Sequence, residues 1–260
     1  MSLGLAVALV IIALIGGACI TTIGPGGIFV TIALFVLLDI DHSTVAGTAS
    51  ATFIATGLVG SVAYFRSGEL ASGLAGKSAF LLSIASVVGA FAGAQLNTVL
   101  DGRIFGALLG GFVLLTGLII MYRQRSGLEP VKELDLDSWR AMAAMVGVGL
   151  AVGLPGGLLG VGGPVLAVPL LVVLGVPMLM ALALAQVQSI FISGFATVGY
   201  AIHGAIDWGL AVLVGIPLLI GTVAGWWIAQ RIDPSRLKLF LGAVLLILGI
   251  YLLVGGGTPA

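Results

Sequence analysis

A chain of 260 residues in which 60% of positions are hydrophobic and only 8% are charged is too apolar for an ordinary soluble domain, where about a quarter of residues carry charge. A mean hydropathy of +1.28 and 41 glycines fit a polytopic helical membrane protein, whose helix interfaces favour glycine. The apolar runs are far longer than the alternating segments of an outer-membrane barrel strand. Ten basic and ten acidic residues cancel, which leaves no positive field for nucleic acid, and none is expected as a partner. The single cysteine, Cys19, has no partner for an internal disulfide. The amino terminus carries no positive stretch before a long apolar run, so a retained helix is expected rather than a cleaved signal peptide.

Crossing the hydrocarbon core takes about 20 apolar residues in a helix. In chain order the sequence predicts long spans over Leu3–Ile23, Ser43–Phe65, Ser78–Leu100 and Ile104–Tyr122, then Trp139–Leu159, Met178–His203, Trp208–Gln230 and Leu237–Val254. Two shorter apolar pieces, Ile28–Leu38 and Val165–Leu174, follow glycine-rich breaks and are too short to cross comfortably. These spans divide the chain into a first transmembrane repeat (1–124), a charged cytoplasmic linker (125–138) and a second transmembrane repeat (139–260).

Sliding the chain along itself by 136 positions superposes the two sets. Gly24, Gly26 and Gly27 then fall on Gly160, Gly162 and Gly163, Tyr64 on Tyr200, Gly68 on Gly204 and Gly89 on Gly225. A repeat of this kind sets the architecture. If each glycine break reverses the chain, Arg66, Lys77, Arg123, Arg125, Lys132, Arg140, Arg231, Arg236 and Lys238 share one face, and only Arg103 lies opposite. Cytoplasmic loops concentrate Lys and Arg, so this scheme is favoured, with both termini outside and the repeats inverted. The expected fold is therefore all-α, a polytopic transmembrane helical protein of two inverted repeats, each with a Gly-rich broken or re-entrant helix. Many secondary transporters are built this way, with the site near midplane between the repeats.

The breaks read Ile23-Gly24-Pro25-Gly26-Gly27-Ile28 and Leu159-Gly160-Val161-Gly162-Gly163-Pro164. Glycine permits positive φ, and proline cannot donate a backbone hydrogen bond, so neither stretch reads as continuous helix. Irregular backbone at this depth must line a cavity or be buried in protein. A helix starting after such a break aims free amides and its positive dipole end into that cavity, which suits an anion. The bland alternative is that the glycines serve close packing, as the pairs Gly89 and Gly93, Gly106 and Gly110, and Gly221 and Gly225 are expected to do. Ionisable residues are confined to helix ends: Asp39, Asp41, His42, Arg66, Glu69, Asp101, Arg103, Asp207 and Asp233. A buried anion is thus left to dipoles and neutral donors. In the first half these are Thr48, Ser50, Thr52 and Thr56, and in the second Gln186, Gln188, Ser189, Ser193 and Thr197. Hydroxyls in such helices usually bond their own backbone. Gln186 and Gln188 point about 200° apart on a helix, so at most one faces a central site while the other reaches a neighbouring helix. Tyr64 and Tyr200 are expected as interfacial anchors, with gating the alternative. His42 and His203 read as loop residues, with proton coupling the alternative. No zinc-protease, paired CxxC, GxSxG or phosphate-loop motif and no close carboxylate pair is present, so no enzyme activity, metal or other cofactor is expected.

Taken together, Gly24-Pro25-Gly26-Gly27, Gly160-Val161-Gly162-Gly163-Pro164 with Val168-Pro169 behind it, Ala46-Gly47-Thr48-Ala49-Ser50, and the turns Tyr64–Leu70 and Tyr200–Trp208 resemble the sulfite exporter TauE/SafE family of bacterial membrane proteins. The resemblance covers nearly the whole chain. It implies a transporter in the bacterial inner membrane for a small sulfur-containing anion such as sulfite, sulfoacetate or a related organosulfonate, usually in export. The chain departs from the family where Leu184-Ala185-Gln186-Val187-Gln188 stands in place of a hydroxyl-rich stretch. On this reading Gly26, Gly27, Gly162 and Gly163 bind through backbone amides and Thr48, Ser50, Thr52, Gln186 and Gln188 through side chains. The expected partners are the anion and the lipid bilayer, with a homo-oligomer left open. A passive anion or solute channel, an integral membrane enzyme and a structural subunit remain as alternatives.

Overall fold

A computed structural model describes residues 2–71, 73–126, 138–231 and 235–254. Among them are ten helices and no strands: α1 (Leu3–Thr22), α2 (Ile28–Leu37), α3 (His42–Arg66), α4 (Gly73–Asn97), α5 (Gly102–Ser126), α6 (Trp139–Leu159), α7 (Pro164–Val173), α8 (Met178–Ile202), α9 (Trp208–Ala229) and α10 (Ser235–Val254). Within that set seven helices (α1, α3, α4, α5, α6, α8 and α9) are long and apolar enough to cross a membrane. The chain is a multi-pass membrane protein. Leu3, Val7, Ile11 and Ile15 of α1, and Val212, Ile216, Ile220 and Trp227 of α9, are exposed, as a hydrocarbon-facing surface requires.

Helix starts follow local chemistry. Asp41 caps α3 by accepting from the Ser43 amide at 2.8 Å, Asp207 caps α9 by accepting from Leu210 at 3.0 Å, and Ser138 caps α6 by accepting from Ala141 at 3.2 Å. Each satisfies an orphan amide of a first turn. The expectation that charged groups sit at helix ends holds for every described residue among them, and Asp233 lies outside the described residues, as does the linker over 127–137.

Small residues let the long helices lie backbone to backbone. Gly149, Gly153 and Gly157 of α6 stand in turn against Leu82, Ser86 and Ala90 of α4, and Gly89 and Gly93 of α4 against Leu154 of α6. Gly17 of α1 stands against Leu218 and Thr222 of α9, and Gly221 and Gly225 of α9 against Leu14 and Ala18 of α1. Residue numbers rise together along both pairs, so each pair is parallel. Between α3 and α8 they run oppositely: Gly47 meets Tyr200, while Gly57 and Gly60 meet Gln186. α5 and α10 are antiparallel too, with Gly110 against Leu252 and Gly117 against Leu246. The packing is reciprocal, since α4 on α6 mirrors α9 on α1 under the offset that carries Tyr64 to Tyr200. Hydrogen bonds repeat at the same offset: the Ser86 hydroxyl donates to the Leu82 carbonyl at 2.7 Å, and Thr222 to Leu218 at 2.8 Å.

The start of α2 packs on the second half of α1, where Gly26 lies against Gly16 and Ile20, and Gly16 faces Val30. Phe35 of α2 meets Phe105 of α5 edge to face, with ring centres 5.2 Å apart. A side chain at these backbone contacts has nowhere to go. Gly153→Val or Gly17→Val is therefore expected to cost at least about 1–3 kcal/mol through overpacking, read as a lower thermal midpoint in detergent. Gly147, where an added Cβ meets nothing within 4 Å, should accept alanine with the midpoint unchanged or raised.

Candidate functional site

Both breaks are built to end one helix and begin another while buried. The first closes α1 with the Ile23 and Gly24 amides, which donate to the Cys19 carbonyl at 3.0 and 3.1 Å. Gly24 has φ +111°, a left-handed conformation that glycine adopts without strain. Gly26 then donates to Gly24 at 2.9 Å, and α2 begins. At the second break Gly160 has φ +60° and its amide returns to the Gly156 carbonyl; α7 follows with Pro164 in its first turn. Neither Gly27 nor Gly163, the residues before the short helices, caps them with a side chain.

The two breaks meet. The Thr31 hydroxyl of α2 donates to the Gly160 carbonyl at 2.5 Å. A Cβ at Gly24 would stand 2.9 Å from Val168 of α7 and 3.1 Å from the Pro164 carbonyl, and one at Gly27 would stand 3.3 Å from the Val161 carbonyl. Two further side chains lie at this junction. The Phe53 ring of α3, only 2% exposed, rests on Gly27 and also reaches Gly162. Ser189 of α8 has its hydroxyl 3.2 Å from where a Gly162 Cβ would stand, and its amide nitrogen is 3.1 Å from that point on Gly163.

The electrostatics of the junction follow from which helix ends are satisfied. The last carbonyls of α1 and α6 have lost their intrahelical donors, and side chains replace them. Tyr64 donates to Thr21 at 2.5 Å, and Gln186 to Ile20 at 3.4 Å. Tyr200 donates to Gly157 at 2.9 Å and to Leu158 at 3.0 Å, while Asn97 donates to Leu158 at 2.7 Å. Thr21 and Gly157 are separated by the same offset as the two tyrosines. Negative helix ends are therefore covered by donors, while the amide ends of α2 and α7 carry no side-chain cap. Among the described residues no group of three His, Cys, Asp or Glu could hold a metal ion.

The residues expected at the site separate on inspection. Gly27, Gly162 and Gly163 come together at the junction, whereas Gly26 turns into its own hairpin against α1. Ser50 is buried on α3. The Thr48 hydroxyl accepts from the Asp207 amide at 3.0 Å. Thr52 and Thr56 donate to Ala49 and Phe53 one turn back, at 2.7 and 3.1 Å. Gln188 reaches α4, donating to the Ser86 hydroxyl at 2.7 Å, and Gln186 lies over Gly60 of α3. The divergence expected from their spacing is what separates them. Tyr64 and Tyr200 are corrections: both are fully buried and serve the breaks rather than the membrane surface. His203 bonds Gln95 at 2.8 Å and His42 bonds the Asn97 carbonyl at 3.2 Å, so both sit at the end of α4. Beside His42, the Asp41 carboxyl would be raised by its partial burial, but hydrogen bonds from Ser43 and the nearby imidazole outweigh this and hold it below the usual carboxylate value. Sequence reasoning passed over Phe53 and Asn97. The offset that pairs the tyrosines also pairs Phe53 with Ser189, and that was the available signal for Phe53.

The family model for sulfite exporter TauE/SafE matches residues 6–254. The chain belongs to the sulfite exporter TauE/SafE family. It is 24% identical to the probable membrane transporter protein YdhB of Bacillus subtilis (strain 168), over 89% of this chain and 91% of the relative. It is 25% identical to the probable membrane transporter protein YunE of the same organism, over 96% and 98%. A probable membrane transporter protein of Xylella fastidiosa (strain 9a5c) is 23% identical over 88% and 87%. No solved structure matches. The TauE/SafE family and these names indicate a membrane transporter.

Removing a hydroxyl that covers a break should unsettle it. Tyr64→Phe and Tyr200→Phe are each expected to lower stability by about 1–3 kcal/mol, the cost of a buried carbonyl left unpaired, measured by thermal unfolding in detergent. The two should cost about the same, because each leaves one carbonyl, Thr21 or Gly157, without its side-chain donor while Leu158 keeps its bond from Asn97.

Proposed function

We propose that this protein is a secondary transporter of a small sulfur-containing oxyanion, sulfite or a related organosulfonate, working by alternating access of two inverted halves. The observation that carries the reading is the meeting of two uncapped amide ends, those of α2 and α7, at one buried junction beside the Ser189 hydroxyl. An anion suits that place because dipoles and neutral donors stabilise negative charge there without a cation. The donors are the amides of Ile28, Val165 and Leu166 at the starts of the two short helices, since Pro164 has none and those of Phe29 and Val30 already bond the Gly26 and Gly27 carbonyls, with Ser189 completing the set.

Opposed halves are supported by helix direction. α1 runs with α9 and α6 with α4, while α3 and α8 are opposed, so the chain reverses at each break and the second half enters from the other face. Arg66, Lys77, Arg140 and Arg231 then fall at one surface, the cytoplasmic one by the excess of Lys and Arg there, and both termini lie outside. A rocking motion between halves would expose the junction alternately to the two sides. Export runs with an inside-negative potential, which favours loss of an anion by about 2.3 kcal/mol per charge per 100 mV, so no coupling ion is required in that direction. The enclosing membrane is the bacterial inner membrane in this reading.

Purified protein in liposomes loaded with labelled sulfite should release it faster than protein-free liposomes loaded alike, and external unlabelled sulfite should accelerate exchange. Flux of sulfite and of sulfoacetate indistinguishable from protein-free liposomes would reject the substrate class. Flux without exchange acceleration would turn the assignment to a channel.

A further inference from the structure

The two sides of the junction are alike in backbone and unlike in chemistry. Ser189 of α8 stands on Gly163 with its amide nitrogen 3.1 Å from the Cβ position there, and the residue at the matching offset on α3 is Phe53, whose ring carbons lie 3.0 and 3.1 Å from the Cβ position of Gly27. The same ring extends to Gly162, at 3.5 and 3.7 Å. One aromatic side chain therefore spans both breaks, where the opposite half presents a small hydroxyl. The ring is almost wholly enclosed and has no polar atom, so it contributes volume to the junction and no hydrogen bond.

We infer that Phe53 is a specificity-determining residue of the anion site: it fills the α2 side of the junction, so the oxyanion is held from the Ser189 side and only a head group with little or no tail fits. This inference rests on the proposed transport of sulfur oxyanions and narrows it to the compact members of that class. The chemistry is a pocket-size effect. A phenyl ring standing where the partner half has a hydroxymethyl group removes space that a carbon substituent on sulfur would need, and rejecting one or two extra heavy atoms in this way is worth about tenfold or more in selectivity. The two glycines beside the ring, Gly27 and Gly162, have no side chains to retract, and the ring lies within ordinary contact of Gly162, so the space is recovered only by changing Phe53 itself.

The test compares sulfite with sulfonates of rising tail length, methanesulfonate, sulfoacetate and benzenesulfonate, as competitors of labelled sulfite flux in proteoliposomes. With the unaltered protein, inhibition is expected to fall at least about tenfold from sulfite to sulfoacetate. In Phe53→Ala that gap should close to within about threefold through stronger inhibition by sulfoacetate, with Phe53→Leu between the two. Ser189→Ala should weaken sulfite and sulfonates alike and leave their ratio unchanged. Inhibition that is flat across the series in the unaltered protein would overturn the inference without requiring any variant to fold. A sulfite-to-sulfoacetate ratio in monodisperse Phe53→Ala unchanged from the unaltered protein would overturn it as well. Absence of any anion flux in the unaltered protein would defeat the broader reading instead, so the two failures are distinct.

Discussion

A helix that stops inside a hydrocarbon slab leaves carbonyls at one end and amides at the next with no water to receive them. This constraint organises the molecule. At the ends of α1 and α6 the carbonyls are met by Tyr64, Gln186, Tyr200 and Asn97, brought from three long helices. Those four bonds tie α3, α8 and α4 to the breaks, so the positions of the long helices and the conformation of the breaks depend on each other. The amide ends of α2 and α7 are treated differently. They receive no side-chain cap, and the amides of Phe29 and Val30 turn instead to the Gly26 and Gly27 carbonyls.

Close packing and polarity divide the work along the two central helices. Glycines on α3 admit Gln186, Ile190 and Tyr200 of α8, and dispersion contacts of this kind are what hold helices together in lipid, where no hydrophobic gain is available between them. Most of the polar side chains on α3 are already engaged. Thr52 and Thr56 return to their own backbone and Thr48 secures the start of α9. A row of hydroxyls on a membrane helix is thus largely a way of burying polar groups without an unpaired donor. Among the described residues the hydroxyls of Ser61, Ser83, Ser193 and Thr197, together with one oxygen each of Asn97, Gln186 and Gln188, are buried with no partner in the protein, and four of these seven lie on α8.

The helices were legible because lipid imposes a length and a composition. Trp139–Leu159 came out with the same ends, and the remaining boundaries moved by at most a few residues, where charged caps and glycine starts extend a helix beyond its apolar run. The breaks were legible for a local reason, since glycine and proline act on their own backbone. What could not be read were contacts set by the packing of distant helices. An aromatic residue such as Phe53 on an apolar helix carries no mark that separates a core position from a site position. Tyr64 and Tyr200 looked like interfacial anchors because each lies near a helix end, yet the neighbouring helices enclose them completely. Gln186 and Gln188 were separable by helical period alone, but which one faced α4 depended on where α4 lay.

The central claim is that two broken helices bring their amide ends to one buried point that accepts negative charge. A cryo-electron microscopy map of the protein with saturating sulfite tests it most directly. Density for the anion is expected between Gly27 and Gly163, in contact with the amides of Ile28, Val165 and Leu166 and with Ser189. Continuous helix through residues 23–27 or 160–163, or anion density away from that junction, would contradict it.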